Sequence, residues 1–146
     1  MRPDSIEPPS YMVRRRAGIL LHVTSLPGPG PNGELGPEAR RFVDFLADAG
    51  LTIWQTLPVG PTQMDGSPYQ CSSMHAGNPR LISLDWLLEK GWLTADQMPA
   101  ADFEYQEKRL ILEAAWAGFK ERAGDEERLK LQAFSANHGG WLDDFA

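Results

Sequence analysis

The chain has 146 residues, enough for one domain, and a domain of this size buries about 70% of its unfolded surface without disulfide or metal staples. Its 14 basic and 20 acidic residues leave a net charge of −6, which argues against a nucleic-acid or anionic-membrane partner, because phosphate binding needs a basic face. Cys71 is the single cysteine, so an intrachain disulfide and a Cys-rich metal site are both excluded and a reducing compartment fits.

MRPDSIEPPSYM opens the chain without an apolar stretch of signal-peptide type, and residues 1–15 read as a loose leader whose Arg14–Arg16 run marks the solvated end of the first element. The apolar run GILLHV, within residues 17–27, is short and bounded by breakers, which predicts a fully buried strand of a parallel sheet. GPGPNGELG, residues 28–36, is a loop by its Gly and Pro content. GPEARRFVDFLADAG then predicts a helix: Pro37 suits its first position, Glu38 its positive end, and Ala39, Phe42, Val43 and Leu46 form one face. Gly50 stands where a left-handed terminator is needed, and LTIWQTLPVG predicts a second strand stopped by Pro58. Strand, helix and strand with short joints make a βαβ unit.

A long irregular stretch follows, DGSPYQCSSMHAGNPRLI, residues 65–82. Beyond it Ser83 can cap a short helix ended by Gly91, and WLTADQMPAADF reads as a turn-rich bridge. A long helix is expected over about 103–123, with Tyr105, Leu112, Ala115, Trp116, Phe119 and Ala123 on one side and Gly124 as its stop. Asp125 can cap a further helix over roughly 126–136, ended by NHGG, with WLDDFA starting another. Two buried parallel strands cannot cover their own faces and edges, so the chain is expected to be the front part of a larger α/β protein. There is no apolar run of about 18 residues and hence no expected membrane span.

The usual catalytic arrangements find little purchase. Ser67 lacks the G-x-S-x-G elbow, and Cys71 and His75 lie in a segment too rich in breakers to form a helical pair. His22, His75 and His138 have no metal-ligand spacing. His22, at the end of a strand, reads either as a satisfied core or rim histidine or as a substrate contact. GPGPNGELG lacks the phosphate-loop lysine, and its prolines remove N–H donors. Retaining glycosyl transfer needs two carboxyl groups about 5–5.5 Å apart. Asp143 and Asp144, like Glu126 and Glu127, are sequence neighbours that would diverge by about 100° on a helix. That leaves SPYQ after a parallel strand, where α/β active sites gather. Tyr69 can either pack the loop or lay its ring on the apolar face of a sugar, with Ser67 and its own hydroxyl hydrogen-bonding sugar hydroxyls.

The segments GILLHVTSLPGP, LGPEARRFVDFLADAGLTIWQTLPVGPT and SPYQCSSMHAGNPRLISLDWL, in this order from about Arg16 to Trp86, closely resemble the start of 4-α-glucanotransferases, the amylomaltases of glycoside hydrolase family 77; WLDDFA also resembles a family segment. The resemblance implies an α/β fold, the N-terminal part of a (β/α)8 TIM barrel with an inserted helical subdomain, incomplete as a barrel in this chain. Residues 16–82 would hold the first two strands, the first helix and the substrate loop, and residues 83–146 the helical insertion. It further implies a cytoplasmic enzyme, without metal or cofactor, that moves α-1,4-glucan segments between maltooligosaccharides by retaining double displacement.

The aspartate nucleophile, the glutamate acid/base and the second aspartate of that mechanism match no residue here, so the rest of the barrel is expected C-terminal to Ala146 and the 146 residues alone are expected to be inactive. Ser67 and Tyr69 match glucan-contacting positions; Gln70 and Asn78 match motif positions as substrate-binding or loop-fixing groups; Met64 stands where many relatives carry an aromatic glucan contact. A non-catalytic glucan-binding module is the rival reading, and an α/β scaffold with no sugar site is a third.

Overall fold

The computed structural model describes residues 15–28, 30–100 and 103–145. The leader expected over residues 1–15 therefore lies, save for Arg15, outside the described residues. Two strands, β1 (Gly18–Leu20) and β2 (Ile53–Gln55), run parallel in the register Gly18↔Ile53, Ile19↔Trp54 and Leu20↔Gln55. Between them in sequence lies α1 (Pro37–Asp48), which opens on Pro37 with Glu38 in its first turn. Gly50 ends it with φ +71°, the left-handed conformation that only glycine adopts without a Cβ penalty. Ala39 and Leu46 are buried on the inner face of α1 and Phe42 packs edge-on to Trp54, while Val43 on the same stripe is 49% exposed.

The expected first strand was too long and too buried. Val23–Ser25 leave the strand as a 3₁₀ turn, and Leu20 and Ile53 are exposed. The reason is topological: among the described residues the sheet has two strands only, so each strand lacks a neighbour on its outer side.

After a long connection and a 3₁₀ turn at Pro79–Leu81, the rest is helical: α2 (Leu84–Glu89), α3 (Tyr105–Arg122) and α4 (Asp125–Phe145). Ser83 Oγ accepts the Trp86 N–H and caps α2, and Gly91 follows that helix at φ +70°. α3 starts at Tyr105 rather than near 103, with the Glu107 carboxylate accepting the Glu104 N–H at 2.8 Å. It ends because Ala123 turns extended, before Gly124 is reached. Gly124 then accepts the first helical bond of α4, from Arg128 N–H, so Asp125 is a first-turn acid rather than the cap.

α4 also runs straight through NHGG to Phe145, where a stop had been expected. Neither Gly139 nor Gly140 has positive φ, and aromatic neighbours span the break: Phe134 and His138 at 4.5 Å, His138 and Trp141 at 5.9 Å, Trp141 and Phe145 at 6.5 Å between ring centroids.

Two apolar clusters form. Val23, Leu26, Ala39 and Leu81 close one beneath α1, with Leu21, Phe42 and Trp54 against them. Leu84, Leu87, Leu93, Phe103 and Ala115 make the other between α2 and α3. α3 approaches the turn after α2 closely at Gly118, where a Cβ would stand 2.0 Å from the Trp92 carbonyl oxygen. No helix among the described residues is long and apolar enough to cross a membrane.

Candidate functional site

Parallel pairing brings the carboxyl ends of β1 and β2 side by side, tied by Leu21 N–H to Gln55 O at 3.0 Å and Trp54 Nε1–H to Leu21 O at 2.7 Å. Two segments leave this end: His22 with its 3₁₀ turn, and the long connection from Leu57 to Leu81. The connection contains many polar residues and no helix before Pro79, yet it is held by a closed set of local bonds.

Gly66, at φ +72°, gives its N–H to Gln63 O at 3.0 Å, and the Asp65 carboxylate accepts Ser67 N–H at 3.1 Å. Gln70 N–H then closes a turn on Ser67 O at 3.1 Å, which places Ser67, Pro68, Tyr69 and Gln70 in one tight unit. Behind it, Thr62 and Cys71 form an antiparallel bridge, and Ser72 donates through both N–H and Oγ–H to Pro61 O. Ser73 Oγ accepts the N–H groups of His75 and Ala76 at 3.2 and 3.1 Å. The loop is thus ordered by its own Asx and Ser turns, as its composition foretells.

Of the four sequence-predicted site residues, three are gathered on the outer turn. Tyr69 is 76% exposed, Gln70 is exposed and Ser67 half-buried. Asn78 is apart from them. It is buried, its N–H donates to Val59 O at 2.9 Å, and its Oδ1 accepts Arg80 N–H at 3.0 Å, capping the 3₁₀ turn. Its observed role is to fix the loop base. Met64, in contrast, is 91% exposed.

Tyr69 borders a cavity of about 520 Å³ that is also lined by Pro58, Val59, Cys71, Met74 and His75. Cys71 donates its thiol hydrogen to Pro68 O at 3.2 Å, and the His75 ring stacks on Trp141 of α4 at 5.7 Å, so the two serve different neighbours. His22 Nδ1 is buried without a hydrogen-bond partner among the described residues, and burial lowers the pKa of the ring from its ordinary 6.5. The neutral ring is therefore favoured there. Among the described residues no group of three or more His, Cys, Asp or Glu side chains is placed to hold a metal ion.

Sequence reasoning missed the groups beneath the loop. Glu34, in the stretch read as a plain loop, is buried and pairs with buried Lys108 of α3 at 2.5 Å. Its second oxygen accepts Leu84 N–H at 3.2 Å, at the start of α2. Lys108 Nζ also donates to Arg80 O at 2.6 Å, and the Arg80 guanidinium lies 3.9 Å from the Tyr105 ring centroid. Burial holds the Lys108 pKa below its ordinary 10.5, and its hydrogen bond and ion pair with Glu34 offset only part of that fall. Glu34 and Lys108 are 74 positions apart; Lys108 falls on the apolar face of its helix, three residues after Tyr105 and four before Leu112, whereas nothing local marks Glu34 as buried.

Comparison with known proteins gives these residues a family context. A family model described as 4-alpha-glucanotransferase matches residues 21–146. A 4-alpha-glucanotransferase of Thermus thermophilus is 46% identical over 138 residues, 90% of this chain and 28% of that protein. The chloroplastic/amyloplastic 4-alpha-glucanotransferase DPE1 of Oryza sativa subsp. japonica is 42% identical over 148 residues, 91% of this chain and 25% of that protein. The structure of an amylomaltase from Streptococcus agalactiae in complex with acarbose superposes with a TM-score of 0.78 at 34% identity, covering 90% of this chain and 28% of that one. The chain spans little more than a quarter of the length of these relatives.

Proposed function

The chain belongs to the 4-alpha-glucanotransferase family, and from that premise we propose that it forms the opening strands and the sugar-contacting loop of an enzyme that transfers α-1,4-glucan segments between maltooligosaccharides. The observation that carries this reading is Tyr69: an exposed aromatic ring on a turn locked by Asp65 and Ser67, at the shared carboxyl end of two parallel strands. The ring offers a flat apolar face to a pyranose, and Ser67 and Gln70 in the same turn offer a hydroxyl and an amide to its hydroxyls. Asn78 holds the base of the loop. The amylomaltase it superposes on was captured with acarbose, which supports a glucan-like ligand for this chain as well.

In this reading the barrel is completed by residues outside the chain, residues 16–82 contribute its first two strands, and residues 83–146 form the helical insertion. The carboxylates of the double displacement come from elsewhere in the longer protein, and the chemistry needs neither a metal nor a dissociable cofactor. The net charge of −6 fits a partner that is a neutral glucan rather than nucleic acid or an anionic membrane. A cytoplasmic location fits the lone Cys71, although the rice relative's name places that protein in plastids.

The test is maltotriose disproportionation by the full-length protein with Tyr69→Ala and Tyr69→Phe. Loss of the ring is expected to cost roughly 1–3 kcal/mol of transition-state binding, with Tyr69→Phe retaining most of it. Unaltered kcat/KM in Tyr69→Ala would sink the proposal.

A further inference from the structure

We propose that Arg80 is a positioning residue for the sugar-contacting turn, a clamp through which α3 sets where Ser67 and Tyr69 stand. The inference rests on the reading of that turn as a glucan contact.

Both backbone polar groups of Arg80 are pinned from different sides. Its N–H is held by Asn78 Oδ1 at 3.0 Å and its carbonyl by Lys108 Nζ at 2.6 Å. Lys108 is in turn fixed by Glu34, and Glu34 by the start of α2. With both backbone groups bonded, the Arg80 side chain has a defined origin, and its guanidinium lies over Tyr105 in the first turn of α3, 3.9 Å from the ring centroid. The guanidinium also stands beside Gly66: a Cβ at that glycine would lie 3.0 Å from Arg80 Nη1. Gly66 is the residue at φ +72° that starts the turn carrying Ser67, Tyr69 and Gln70. The guanidinium is therefore a plate that lies near both the first ring of a helix and the root of the turn. Arginine suits this place because its planar group can stack on an aromatic face on one side and meet backbone on the other, which an ammonium cannot do.

The clamp makes the turn's position depend on residues that never touch the ligand. Removing the plate leaves the local Asx and Ser turns intact but frees the unit to shift as a body. Contact with glucan then weakens because binding must select one position out of several.

The experiment uses the full-length protein with Arg80→Met, Tyr105→Leu and Tyr105→Phe, each checked for wild-type unfolding temperature within a few degrees. Two readouts are taken: KM and kcat for maltotriose disproportionation, and the iodoacetamide alkylation rate of Cys71, mapped by peptide mass. Cys71 belongs to the same loop and its thiol is tied to Pro68 O, so its reactivity reports loop position without catalysis. We expect Arg80→Met and Tyr105→Leu to raise KM by about fivefold with little change in kcat and to accelerate Cys71 alkylation, while Tyr105→Phe, which keeps the ring, stays near wild type. An unchanged alkylation rate in both disruptive variants overturns the clamp, whatever the kinetics do. Faster alkylation with unchanged KM keeps the clamp but overturns its catalytic consequence, and with it the glucan reading of the turn.

Discussion

α3 and α4 follow one another and have similar lengths, 18 and 21 residues, yet they are stabilised in different ways. α3 buries Lys108, Ala115, Gly118 and Phe119 and ties itself to both apolar clusters' surroundings through Glu34 and Arg80. α4 buries none of its residues. Local terms do much of the holding there: three acids in its first turn, the Lys130–Glu126 pair one helical turn apart, and aromatic contacts from Phe134 to Phe145, beside a Lys90–Glu127 pair to the end of α2. The difference teaches that the site is organised by the deeper helix. α3 reaches the base of the loop at Arg80, through Lys108 and Tyr105, whereas α4 meets the loop through His75 and Trp141.

That contrast can be broken most sharply at the buried ion pair. Lys108→Met should destabilise the protein by about 3–5 kcal/mol, because it strands the Glu34 carboxylate away from water. Urea unfolding measures it, and the double variant Lys108→Met/Glu34→Leu should recover much of the loss. Replacing Lys130, whose ion pair on α4 is exposed, should leave the urea midpoint close to the parent's.

A gentler comparison uses glycines on the two helices. Gly118→Ala drives a Cβ into the Trp92 carbonyl and should cost about 1–3 kcal/mol. Gly140→Ala meets nothing within 4 Å inside α4 and should stabilise by about 0.5–1 kcal/mol through helix propensity. Thermal unfolding of both variants checks the signs, and equal losses would show that α4 packs as tightly as α3.

The smallest effect concerns the strand end. His22 has a folded pKa below its ordinary 6.5, so the unfolded chain binds the proton more readily. The stability this contributes is present above 6.5 and lost as pH falls through the lowered folded value. Unfolding midpoints across that window should fall less steeply with acid in His22→Gln than in the parent.

Local chemistry made a good part of the architecture legible before any coordinates. Pro37, Ser83, Gly50 and Gly91 act on their own few neighbours, through φ restriction, a single cap bond or a left-handed turn, and each stands where those rules place it. The irregular character of the loop followed from the same chemistry, since Asp65, Ser67 and Ser73 order it by bonds spanning three residues or fewer. The limits show at NHGG, where a glycine pair weakened a helix that neighbouring rings then carried through.

What only the tertiary structure decided is which polar groups are buried and what they hold. Glu34 sits in a stretch of loop composition and Lys108 is a charge on the apolar stripe of α3, between Tyr105 and Leu112; they meet across 74 positions. Desolvating a charge is costly unless a partner arrives, and whether one arrives depends on how α3 crosses the loop, not on the residues flanking either charge. The same crossing sets Tyr105 beneath Arg80 and Arg80 against Gly66. By itself the sequence therefore determined the order of the elements, most of their caps and the irregular stretch that carries Tyr69, while the fold determined which buried groups meet beneath it.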